Sequence, residues 1–100
     1  MYIIRGFDWD DGNRAKAQAH GLTLAEIEHA MRTGPVVAPD PAHSLTEQRF
    51  IAIGRTPAVR HAFVAFCFRG AAVRPISARY MHAREIARYE TAQGPGHDDR

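Results

Sequence analysis

The stretch HSLTEQRFIAIGRT, residues 43–56, sets Glu47 and Arg49 ahead of an apolar run and closes that run with Gly54 and Arg55. Residues two apart in a strand share a face at ~7 Å spacing, so Glu47, Arg49, Ile51, Ile53 and Arg55 point the same way. Arg79 ends a second strand-like stretch, ISAR, and a meander of strands can bring it to that side of the sheet. One carboxylate among several guanidiniums suits the cleavage of RNA, which carries its own nucleophile in the 2′-hydroxyl. Such a site needs a base for that proton, an acid for the departing 5′-oxygen, and cations for the charged phosphorane. Arginines supply the cations without metal. Glu47 fits the base, and His20 or His43 fits base or acid because histidine titrates near neutrality. The same spacing also accommodates a plain surface pair of Glu47 with Arg49 or a strand neighbour, contributing under ~1 kcal/mol.

The charge is uneven along the chain. From Arg49 to Arg88 stand eight arginines, without a lysine, against one acid, Glu85; residues 1–48 hold four cations against seven acids. The guanidinium fork matches phosphate and carboxylate, so the second half points to an anionic partner or to a solvated basic surface. The single cysteine, Cys67, excludes an internal disulfide and a cysteine-rich zinc site, and its apolar neighbours point to core packing. The six histidines show no H-x-x-x-H pair, so neither metal nor cofactor is expected. The apolar run Ala62 to Phe68 is too short to span a bilayer, and the N-terminus turns acidic without a cleavage signal, which makes a cytoplasmic protein with no membrane partner the expectation.

These residues need elements to position them. YIIRGFDW reads as a short first strand, and Asp10 and Asp11 can cap a helix over about 11–19 that His20-Gly21 ends. Thr23 and Glu26 have the spacing of a capping box, Leu22 and Ile27 that of a hydrophobic staple, and Gly34-Pro35 stops this second helix. Prolines 35, 39 and 41 confine the next segment to a short edge strand and an extended loop. Three strands follow at 48–55, 61–69 and 72–78, joined by short turns into an antiparallel meander. Both faces of the middle one are apolar, which predicts cover on each side, and Pro75 belongs at a bulge or on an unpaired edge. A third helix runs from about His82 to Ala92 with Ile86 and Tyr89 inward, His82 serving as its cap, and residues 93–100 read as a flexible tail. Phe7, Trp9, Phe50 and Tyr80 fit core and rim positions better than base-stacking ones. The sum is one α+β domain over residues 1–92, an antiparallel sheet of four or five strands with two N-terminal helices and one C-terminal helix.

FDWDDGNRAKAQAHGLTLAEIEHAM, DPAHSLTEQRFIAIGRT and VRPISARYMHAREIARYE resemble, in order and spacing, the BrnT family of type II toxins over about residues 7–90. The resemblance implies a RelE-like α+β fold and a metal-independent ribonuclease that arrests growth. It also implies a BrnA-like antitoxin with a ribbon-helix-helix domain, through which alone the pair reaches operator DNA. Residue by residue, it implies Glu47, Arg49, Arg79 and His20 as catalytic and Lys16 and Arg55 as binding substrate phosphate. The family commonly has a basic residue before its H-G turn, where this chain has Ala19, and a hydroxyl cap where it has His82. Besides an endoribonuclease toxin, the residues also fit a non-catalytic module that docks the antitoxin and acts as transcriptional co-repressor.

Overall fold

The computed structural model describes residues 4–93. Helix α1, Asp11–Ala17, starts with a reciprocal cap in which Asp10 accepts from the Asn13 amide at 3.1 Å and the Asn13 side chain accepts from the Asp10 amide at 2.7 Å. Helix α2, Leu24–Arg32, repeats the device with Thr23 and Glu26, a cap that contributes about 1 kcal/mol. Gly21 at φ 101° and Gly34 at φ 75° turn the chain out of the two helices, a conformation that favours glycine. Ile27, Ala30 and Met31 recur at helical spacing and are buried.

Strands β1, Val36–Pro39, β2, Phe50–Arg55, β3, His61–Arg69, and β4, Ala72–Tyr80, form one antiparallel sheet in chain order, and α3, Ala83–Gln93, follows. Ala65 pairs with Ser77 but Phe66 pairs with Pro75, so Ile76 is the extra residue of a bulge. Proline, lacking an N–H, sits where the ladder is already broken.

Among the described residues, the expected N-terminal strand pairs at one point only. Phe7 makes a single parallel bridge to Val73, with Asp8 N donating to Val73 O at 2.8 Å and Val73 N to Gly6 O at 3.0 Å. Buried Asn13 extends this cover of the β4 edge by donating to Asp8 O at 2.9 Å and Pro75 O at 2.8 Å. The tail expected at 93–100 lies, apart from Gln93 in α3, outside the described residues, as do Tyr2 and Ile3 of the expected first strand.

One face of the sheet makes the core: Ala52, Val64, Phe66, Val73 and Ala78 pack with Ala17, Leu22, Ile27 and Met31. There a Cβ on Gly54 would stand 2.3 Å from the Ala30 carbonyl oxygen, so glycine is what lets α2 lie this close to β2. The other face corrects the expectation that β3 is covered on both sides. His61, Phe63 and Ala65 are half-buried, together with Ile51 and Ile53, because α1 lies along β4 and α3 meets this face at one end.

Candidate functional site

The open face is a ladder of side-chain rows. Ile51, Ala65 and Ser77 form one row, Ile53, Phe63 and Arg79 the next, and Arg55 with His61 the last. Extending the β2–β3 register past Phe50 brings Arg49 opposite Cys67 and Glu47 opposite Arg69. The bulge at Ile76 then has a consequence for charge. It shifts the alternation of β4 so that Arg74, three residues before Ser77, joins the same face.

Three concavities follow the face. The first, about 270 Å³, is lined by Lys16, Glu47, Arg49, Cys67, Arg69 and Arg74 among others. The second, about 390 Å³, has an apolar floor of Ile51, Phe63 and Ala65 with His20, Ser77 and Arg79 at its walls. The third, about 400 Å³, holds Arg55 with His29, His61 and Tyr89. The six residues singled out in the sequence are thus distributed: Lys16, Glu47 and Arg49 come together, His20 and Arg79 share the neighbouring cavity, and Arg55 stands apart. By sheet geometry the Cα atoms of Arg55 and Arg79 are on the order of 12 Å apart, one row along and two strands across. His43 lies outside these cavities, its Nδ1 at 2.9 Å from Asp40 Oδ2.

Each charged group has a distinct setting. Glu47 is half exposed and pairs with Arg69, whose guanidinium also approaches Cys67 Sγ at 3.2 Å. That carboxylate holds the Arg69 pKa above the ordinary arginine value, and burial pushes the Cys67 thiol up, which keeps it protonated. Arg74 ties down the N-terminal segment through Asp8 at 3.4 Å and Asp10 at 3.0 Å. Arg79 stacks on Phe63, 4.5 Å from the ring centre, and its two terminal nitrogens each reach a Glu85 carboxylate oxygen at 2.8 Å. This fork, seconded by the His82 amide at 2.9 Å, lowers the Glu85 pKa to about 2. Lys16, Arg49 and Arg55 have no acidic partner among the described residues.

Sequence reasoning missed Arg69, Arg74 and Glu85. The first was findable, since Thr56 N bonds Arg60 O across the β2–β3 turn and fixes the register that faces Glu47 with Arg69. Strand parity alone puts Arg74 on the wrong face. Its one signal is Pro75, which marks the bulge. The aromatics read as core and rim, Phe7, Trp9, Phe50 and Tyr80, all pack partly buried against the core.

Among the described residues the result is an α+β fold of three α-helices and one antiparallel sheet, with an arginine-lined sheet face left open beside the helices. The chain belongs to the family described as ribonuclease toxin, BrnT, of type II toxin-antitoxin systems, whose model matches residues 9–85. That span runs from Trp9 through α1, the whole sheet and Glu85, so it includes the first two cavities. No curated protein matches the chain. No helix among the described residues is long and apolar enough to cross a membrane.

Proposed function

We propose that this chain is a metal-independent endoribonuclease toxin, neutralised by a BrnA-like ribbon-helix-helix antitoxin that alone carries the pair to operator DNA. One observation supports this above the rest: Lys16, Glu47 and Arg49 converge from α1 and the approach to β2 on an open face, with two cations unpaired. In this reading Glu47, oriented by Arg69, takes the 2′-hydroxyl proton while Arg49 and Lys16 hold the phosphate oxygens. The 2′-oxygen bonds to phosphorus, the bond to the 5′-oxygen breaks, and His20 delivers the proton to that leaving oxygen. Arg79 stabilises the phosphorane from the middle cavity, and Arg55 binds a phosphate farther along the strand.

Purified protein incubated with RNA in excess EDTA should yield fragments with cyclic or 3′-phosphate and 5′-hydroxyl ends. Absence of such fragments from free and ribosome-bound RNA alike would overturn the reading. Arg79→Ala is a blunt control, since it also strips Glu85 of its partner and Phe63 of its stacked cation. Arg49→Ala removes a guanidinium that no ion pair among the described residues holds.

A second reading has one observation in its favour: an acidic side chain, Glu85, already fills the Arg79 fork. An acidic antitoxin segment on the same face would make the protein a co-repressor without catalysis. Expression alone would then leave growth unchanged while the antitoxin still forms a stable complex.

A further inference from the structure

We propose that the cavity at the Arg55 end reads one nucleobase of the RNA strand a few nucleotides from the cleaved phosphate. The proposal rests on the ribonuclease reading for its ligand and adds the site of sequence preference.

Three independent features meet in this cavity of about 400 Å³. Arg55 is exposed and has no acidic partner among the described residues, leaving a guanidinium for a backbone phosphate. The His61 side chain is only 10% exposed, yet among the described residues its Nε2 has no hydrogen-bond partner, and a Glu90 carboxylate oxygen lies 3.9 Å away. A buried imidazole nitrogen in that state is costly, and a polar edge brought by a ligand would satisfy it. Val59 at the rim is a β-branched residue held at φ 66° with 61% of its surface exposed. Such a conformation is rare for valine, and here it accompanies an apolar side chain at the lip of a polar cavity.

The walls fit a flat heterocycle. The Tyr89 ring stands edge-on to His61 with centres 5.8 Å apart, and His29 Nδ1 lies 3.0 Å from the Arg55 carbonyl oxygen, which fixes the backbone carrying the guanidinium. A base seated between Val59 and Tyr89 would stack on one side and present its hydrogen-bonding edge to His61, with its phosphate on Arg55. Arg49, which holds the cleaved phosphate in the ribonuclease reading, is six residues and ~20 Å back along β2 from Arg55, a span of about three extended nucleotides. A bare phosphate would use Arg55 and leave Val59, Tyr89 and His61 idle.

Isotope-labelled protein titrated with each of the four nucleoside 3′-monophosphates, and with inorganic phosphate as control, tests this directly. At least one nucleotide should shift the His61 ring and Gly54 signals and bind about fivefold or more tightly than inorganic phosphate. His61→Phe, which keeps the ring and removes the nitrogen, should erase the preference among bases and broaden the sequence profile at cleaved RNA ends. Tyr89→Ala, at a half-buried helix position, should weaken the preferred nucleotide by a similar factor and serves if His61→Phe fails to fold. Equal binding of inorganic phosphate, silent His61 signals, or an unchanged base preference in the variants would overturn the proposal. Nucleotide binding without RNA fragments would sink catalysis alone, so the two failures are distinct.

Discussion

The two faces of β2 and β3 are built from the same strands and obey opposite rules. On the covered face Ala52, Gly54, Ala62 and Val64 are small and fully buried, and α2 comes so near that Gly54 has no room for a methyl group. On the open face Arg49, Ile51, Ile53 and Phe63 remain partly exposed, and Arg69 and Arg79 are each held by a carboxylate. Close packing makes the first face intolerant of added volume, whereas half-exposed side chains at the second can change with little effect on stability. A surface that must admit and release a polymer belongs on the second.

Substitutions on either side should separate these roles. Arg49→Ala should reduce RNA cleavage by ~10²–10³ if the proposed phosphate contact is made, while moving unfolding stability by under ~0.5 kcal/mol. Paired kinetics and chemical denaturation check both numbers; a well-folded variant with undiminished cleavage would remove Arg49 from the site. Gly54→Ala should do the reverse. Its Cβ meets a backbone carbonyl that cannot rotate away, so a loss of about 2–3 kcal/mol is expected from overpacking. Denaturant unfolding reads it directly, and a loss below ~0.5 kcal/mol would mean that α2 shifts freely and that the covered face is less rigid than its contacts indicate.

The covered face was also the more legible one. A cap candidate at Asp10, a capping box at Thr23, stop signals at Gly21 and Gly34, and an unbroken apolar run from Ala62 to Phe68 are local patterns, and each produced its element. The open face depends on what local patterns do not contain. Glu47 meets Arg69 through hairpin register, Arg74 arrives through a bulge that reverses alternation, and Glu85 reaches Arg79 across the turn from β4 into α3. The apolar character of both sides of β3 misled for a physical reason. Ile51, Phe63 and Ala65 floor a concavity, so they are apolar without being covered by a helix.

The most delicate difference between the faces is their response to acid. The apolar side chains of the covered face carry no titrating group, whereas α3 is joined to the open one by Glu85, whose pKa lies near 2 against an ordinary 4.5 because Arg79 and the His82 amide hold its charged form. A carboxylate depressed on folding stabilises the fold fully above its unfolded value and loses that contribution as pH falls toward its folded one. The contact between α3 and the sheet should therefore loosen progressively below pH 4.5 toward about pH 2. Tyr89 and His61, in contact farther along the same helix, provide the signals to follow by NMR. Asp10 and Glu26 also have lowered values through their helix caps, so total stability mixes several groups. Glu85→Gln isolates the one that matters, since glutamine keeps the shape and cannot titrate. In that variant the Tyr89 and His61 signals should already be loosened at neutral pH and should lose the acid step. An identical step in both proteins would assign it to the caps and leave α3 held by packing, which would make the two faces more alike than their charges imply.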